Sequence, residues 1–464
     1  MDPQLRRALL RLALQLNARS PRIRSRTLTI PSFFAGWIST EAAAPLAAVR
    51  AVGLARSVRR GALATTQGRV ATAVDALALA GGAKLVWDAR RADEEFEAAL
   101  LPHVGADHLA GKARTVRAGA ALPVLNGQRR RIRQRNVAYH DEAGWRNTMD
   151  IYEPVGPTRE VLRPAIVEIH GGGWVVGDKN TQGVTLMNHM ASQGWVGFSI
   201  NYRLAPRAHF PQQVIDAKRA IAHIRANAEQ YGIDPDFICV TGGSAGGHLS
   251  SLVALSENDT AFQPGFESAD TSIAAAVPFY GVYDLLDESS FMAPGFTDFL
   301  ERVVVGSKLA GDEDRWRQWS PIHRIHTDAP PMMMIHGNVD TLVPVEQGRA
   351  FAARLNEVSE HAAIYVELAG ANHAFDVFPS VRSLRTVEYV ERFLSAVRNG
   401  TIKGPHPCGA RRPSGSRPPS SPRSQPGTDS TGTRRCTAGR SSGPTSSGRR
   451  CGPSPNCAEP PAMS

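Results

Sequence analysis

Between residues 135 and 398 the chain alternates short apolar runs with longer amphipathic stretches, a rhythm that leaves few architectures open. The runs Met149 to Tyr152, Ala165 to Ile169, Val196 to Ile200, Phe237 to Thr241, Ile273 to Phe279, Met332 to Ile335 and Ile364 to Glu367 are short and largely apolar, as strands covered on both faces must be. The clearest helix is Gln212 to Tyr231, where Val214, Ala217, Ile221 and Ile224 keep one face and Gly232 supplies the stop. Ala245 to Ser256, Pro344 to Val358 and Leu384 to Val397 also read as helices. Alternating strands and helices predict an α/β fold with a mostly parallel, doubly wound sheet.

Two flanks of different composition enclose this region. Met1 to about Val124 is rich in Ala, Leu and Arg, with apolar residues mostly at helical spacing, and a basic connector of Arg129, Arg130, Arg131, Arg133 and Arg135 then leads into the next region. We expect a mainly helical extension over 1–134, a domain carrying the chemistry over 135–400, and a disordered tail over 401–464. The tail is rich in Pro, Ser, Gly and Arg, and buries too little apolar surface to offset its ordering entropy. Its abrupt onset also fits out-of-frame translation of a GC-rich gene, which sequencing around codon 401 decides.

Charge follows the same division. The chain has a formal net charge of +10, of which +8 lies beyond Gly400, so the rest averages close to neutral. The tail lacks the interleaved aromatics of a nucleic-acid binder, and no nucleic-acid partner is expected. Of five cysteines only Cys239 lies in the body, which argues against a disulfide framework and against a zinc site. No stretch has the ~20 uninterrupted apolar residues of a membrane span, and no clear signal peptide is visible. Leu5, Leu9, Leu12 and Leu16 share a helical stripe beside Arg6, Arg7 and Arg11, so the first helix packs on the body or lies on an anionic membrane surface. Nothing in the sequence sets the oligomeric state.

The segment from Phe237 to His248 reads as strand, tight turn and helix, with Gly242, Ser244 and Gly246 forming Gly-x-Ser-x-Gly. That context is the one in which a serine stands exposed on a strained turn at a helix N-terminus, ready to act as a nucleophile. Upstream, His170-Gly-Gly-Gly-Trp174 follows the run ending at Ile169, where an oxyanion hole is needed. The backbone N–H groups of Gly171, Gly172 and Ala245 are the expected donors. A serine hydroxyl needs a histidine to take its proton and a carboxylate to orient that histidine. Asp340 follows a strand and precedes a helix, and His373 lies after the final strand, giving the order Ser244, Asp340, His373. Asp284, Asp312 and Asp376 are rival acids. His248, His336 and His361 read more simply as structural. Trp174, Tyr202, Tyr280 and Phe375 are candidate pocket walls, or core residues. Leu285 to Ile325 is long enough to form a lid, and the N-terminal helices are a second possible cover.

These motifs, with Asn201-Tyr-Arg-Leu-Ala-Pro206, Tyr280-Gly-Val-Tyr-Asp284, His336-Gly-Asn-Val-Asp340 and His373-Ala-Phe375, resemble the hormone-sensitive-lipase-like and feruloyl-esterase-like (BD-FAE type) carboxylesterases of the α/β-hydrolase superfamily, especially mycobacterial-type esterases. The likeness spans about 135–398, and the helical N-terminal region looks like an extension of that subgroup. It implies cleavage of short to medium acyl esters, or lipid esters, without metal or organic cofactor. One departure is Gly243, where hormone-sensitive-lipase relatives usually carry an acid. Kynurenine-formamidase-like enzymes share the glycine form, so an aryl formamide is the alternative substrate, and a catalytically silent binding module is the non-enzymatic one.

Overall fold

The computed structural model describes residues 2–21, 25, 27–109, 132–154 and 162–404. The tail from 405 onward and Arg129 to Arg131 of the basic connector lie outside them. The strands are β1 (Ile132–Ala138), β2 (Thr148–Tyr152), β3 (Arg163–Ile169), β4 (Val196–Ile200), β5 (Ile233–Gly243), β6 (Ala275–Phe279), β7 (Met332–Gly337) and β8 (Ala363–Leu368). They form one sheet in the order β1-β2-β4-β3-β5-β6-β7-β8. β1, β2 and β4 pair antiparallel, and every pairing from β4 through β3 to β8 is parallel.

The seven apolar runs all become strands, and every residue of β2, β4, β6 and β7 is buried. β1 was not visible in the sequence. Its side chains are mostly exposed, so it carries no apolar signal, and part of the expected basic connector is this edge strand. Alternation along the strands divides the core in two. Ala165, Val167 and Met334 face a layer holding the helices Gln212–Ala226, Ala245–Ala254 and Val345–Val358. Ile166, Met333 and Ile335 face one holding Val184–Ser192 and Val381–Arg398.

The N-terminal region is helical: α1 (Pro3–Arg19), α2 (Thr29–Glu41), α3 (Ala43–Arg59), α4 (Thr66–Arg90) and α5 (Ala92–Val104). α5 belongs to the second layer, with Phe96 stacked on Tyr389 at 4.9 Å between ring centroids. α2 is tied to the loop after β8. Trp37 Nε1 donates to Ala374 O at 2.8 Å, and the buried Glu41 accepts from Arg382 at 2.5 Å and from Ser380 at 2.7 Å. By length and composition, the stretch Thr66–Val104 resembles a membrane-crossing helix, its best 18-residue window having a mean hydropathy of 1.4 and being 28% buried.

Sheet order decides where chemistry collects. The chain runs from β3 to β4 on one side and returns to β5 on the other, so β3 and β5 flank a topological switch, outside whose carboxyl ends ligands bind in such sheets. Parallel pairing sets Ile169 beside Gly242, which brings His170-Gly-Gly-Gly and Ser244 together from some seventy residues apart.

Candidate active site

Ser244 follows β5 directly and precedes the helix Ala245–Ala254. Its backbone sits at φ 60°, ψ −119°, outside the regions an L-residue prefers, and its N–H donates to Phe279 O at 3.0 Å. Both flanking glycines are sterically required. A Cβ on Gly246 would lie 1.9 Å from Ile169 O, and one on Gly242 would lie 2.4 Å from the same oxygen. Any side chain there would push β3 away from the turn. Ser244 keeps partial solvent access while its neighbours are buried.

Gly243, the departure from the hormone-sensitive-lipase pattern, has a geometric cause. A Cβ there would meet Tyr280 Oη at 2.6 Å, and the Tyr280 hydroxyl in turn donates to Asp376. A tyrosine from the end of β6 therefore occupies the space that a side chain at 243 would need.

Asp340 and His373 come together on the loops after β7 and β8. His373 Nδ1 lies 2.7 Å from Asp340 Oδ2, and both groups are buried. Asp340 Oδ1 accepts from the N–H groups of Leu342 and Val343 at 2.8 and 2.9 Å, and His336 Nε2 lies 3.3 Å from Oδ2. Burial alone raises this carboxyl, but the charge of His373 and the hydrogen bonds from His336 and His373 outweigh it and hold the group well below the usual carboxylate range. The bond to Asp340 assigns the proton of neutral His373 to Nδ1, leaving Nε2 as an acceptor. Asn372, which no motif marked, pins the two loops, its Oδ1 accepting from Thr341 N at 3.1 Å and His373 N at 2.8 Å.

The rival acids serve elsewhere. Asp284 accepts from the N–H groups of Leu286 and Glu288, Asp312 starts the helix Glu313–Trp319, and Asp376 holds Tyr280. His248 is a packing residue: Nε2 contacts Trp319 O at 2.8 Å, Trp174 Nε1 donates to its Nδ1 at 3.3 Å, and burial lowers it to about 4.

Ser244 and His373 line a cavity of about 650 Å³, within the range of small-molecule sites. Its walls include Gly172, Gly173, Trp174, Ala245 and Tyr280. Two expected wall residues are elsewhere. Tyr202 is fully buried, stacked on His170 with its hydroxyl donating to His170 O at 2.8 Å, so it supports the glycine loop from behind. Phe375 is buried in the core against Phe279 and Tyr280. Gly171 also departs from expectation: its N–H donates to Gln182 Oε1 at 2.7 Å, and it does not line the cavity. The cavity has two further walls. Ile30, Phe33, Phe34 and Trp37 of α2 form one wall, with Phe33 edge-on to His373 at 6.0 Å, and Met292, Phe296 and Phe299 of the expected lid segment form another. Among the described residues no His, Cys, Asp and Glu cluster suits a metal ion.

The BD-FAE family model matches residues 149–355. The protein named "Probable carboxylic ester hydrolase LipM" of Mycobacterium tuberculosis is 39% identical over 393 residues, covering 83% of this chain and 91% of that one. "Esterase LipQ" of the same organism is 40% identical over 333 residues, covering 68% and 78%. Among solved structures, the thermophilic esterase Est2 of the Planctomycetes species Thermogutta terrifontis with butyrate bound is 27% identical over 58% of this chain and 95% of that one, with a TM-score of 0.48. By its sheet topology and its relationship to LipM across nearly the whole of that protein, the chain belongs to the carboxylic ester hydrolases of the α/β-hydrolase superfamily.

Proposed function

We propose that the protein hydrolyses carboxylic esters of short to medium acyl chain through an acyl-enzyme on Ser244. The observation that carries this reading is the strained Ser244 facing the same apolar cavity as a His373 already bonded to Asp340. In this mechanism Ser244 Oγ attacks the ester carbonyl carbon while His373 Nε2 takes its proton. Asp340 stabilises the resulting imidazolium, and His373 then protonates the departing alkoxide. Water, deprotonated by the same histidine, attacks the acyl-enzyme carbonyl; the acyl–Oγ bond then breaks, His373 returns the proton to Ser244 Oγ, and the acid leaves.

The oxyanion of each tetrahedral intermediate needs donors aimed at it. Because Gly171 N–H is held by Gln182, we assign the hole to the N–H groups of Gly172, Gly173 and Ala245, all on the cavity wall. Gly172 and Gly173 take φ values of 118° and 60°, which glycine reaches without strain. The apolar wall of α2 and Phe299 suits an acyl chain.

A p-nitrophenyl ester series from acetate to palmitate, run with wild type and Ser244→Ala, tests the proposal. Turnover that depends on Ser244 and peaks at short or medium chains supports it. A long-chain optimum replaces the chain-length assignment, and Ser244-dependent turnover of aryl formamides alone replaces the ester.

A further inference from the structure

The helices before residue 91 carry a surface that ester chemistry does not use. Leu10, Leu16, Val49, Leu77 and Trp87 are each more than half exposed, Val49 reaching 71%. On α4 the exposed positions Val70, Ala73, Leu77 and Ala80 recur every three to four residues and Trp87 follows two turns on, while Ala71, Ala78, Gly82 and Leu85 form its buried side. This helix therefore has an apolar face toward the protein and a second apolar stripe toward solvent.

Charge on the same helices is one-sided. Residues 1–91 hold fifteen Lys and Arg against four Asp and Glu, a formal +11, whereas residues 92–400 hold twenty-eight against thirty-seven, a formal −9. The near-neutral average of the body conceals this separation. All four N-terminal acids are engaged within the protein: Asp2 accepts from Gln4 N, Glu41 is buried against Arg382, Asp75 pairs with Arg11 at 2.9 Å, and Asp88 pairs with Lys84. Arg6, Arg7, Arg56, Arg59, Arg60 and Arg69 are exposed.

We propose that the outer face of α1, α3 and α4 docks peripherally on an anionic phospholipid bilayer. Exposed Leu, Val and Trp side chains among arginines supply the two contributions interfacial helices use, apolar insertion below the headgroups and attraction to negative lipid. The docked mode is peripheral because α4, though apolar enough to span, keeps its buried side on the protein and its Asp75 on Arg11. Ile30 and Phe34 of α2, both about half exposed, line the catalytic cavity as well. Docking itself does not depend on the ester reading.

Flotation of the full chain with phosphatidylcholine vesicles, with and without 30% phosphatidylglycerol, tests this. The comparison variant is Leu10→Asp/Val49→Asp/Leu77→Asp, which leaves the cavity and the basic tail intact. Thermal unfolding and p-nitrophenyl butyrate turnover confirm that this variant is folded. The expected result is binding to the anionic vesicles, at least tenfold weaker in the triple variant and released by high salt. Equal binding by the variant assigns any affinity to the tail and overturns the proposal. Equal binding to neutral vesicles, or no binding by wild type, also overturns it. Resistance to alkaline carbonate extraction replaces docking with insertion of α4.

Discussion

Replacing Asp340 by Asn keeps the size of the side chain and exchanges one acceptor for a donor, and the surroundings decide which. Oδ1 accepts from two backbone N–H groups, of Leu342 and Val343, while Oδ2 faces His373 Nδ1 at 2.7 Å and His336 Nε2 at 3.3 Å. If the amide nitrogen took the Oδ1 position, two buried backbone donors would lose their acceptor, at about 1–3 kcal/mol each. The amide therefore keeps its oxygen there and points its NH2 group at His373 Nδ1. His373 must then accept at Nδ1 and carry its proton on Nε2, where it can no longer take one from Ser244. The expected loss in kcat is on the order of 10⁴, about 5–6 kcal/mol of barrier, for a stability loss of only ~1–3 kcal/mol, because His336 Nε2 keeps Val343 O at 3.0 Å and loses only its longer contact with Oδ2. Steady-state kinetics on p-nitrophenyl butyrate beside urea unfolding separates the two. A folded Asp340→Asn enzyme retaining a tenth or more of wild-type kcat refutes the reasoning and reopens the case for Asp376.

Three further outcomes follow from particular contacts. Glu168, buried in β3 with Ser199 Oγ donating to it at 2.5 Å, is pushed up to about 8, chiefly by burial. Near its ordinary value of 4.5 and below, both states hold the proton; from there to about pH 8 only the unfolded chain releases it, so wild-type stability falls by at most about 5 kcal/mol. Glu168→Gln should gain on wild type in urea midpoint between pH 5 and pH 8, and a constant difference across that range counts against this. Gly243→Ala puts a Cβ 2.6 Å from Tyr280 Oη, and the displaced ring lies 4.5 Å from His373. It should cost about 1–3 kcal/mol of stability and at least tenfold in kcat, while unchanged values would mean the tyrosine moves freely. Phe33→Ala removes apolar volume from the cavity wall, so the kcat/KM ratio of octanoate to butyrate should rise severalfold, and an unchanged ratio would remove α2 from the acyl site.

Much of the fold was legible because its signals are local. Strands buried on both faces are apolar along their length, and the turn around Ser244 leaves glycines at 242 and 246 because Ile169 O passes within 2.4 Å of either missing Cβ. What escaped depends on residues distant in sequence. β1 is an exposed edge whose pairing with β2 is set by the sheet, not by its own composition. Nothing in Gly171 itself announces that Gln182, eleven residues on, accepts its N–H. Tyr202 and Phe375 look like any aromatic near a motif until the stacking on His170 and the contacts with Phe279 are known. The N-terminal helices were named as a possible cover, but not which of them or which residues: Phe33 of α2 meets His373 from 340 positions away, and helical periodicity says nothing of what a helix covers.

Labelling with a fluorophosphonate, followed by mass spectrometry of the digested protein, tests the central claim most directly. The account predicts one adduct per chain on Ser244, lost in Ser244→Ala and slowed severely in His373→Ala. Ester turnover that persists in Ser244→Ala, or an adduct on a different residue of the folded wild type, would contradict it.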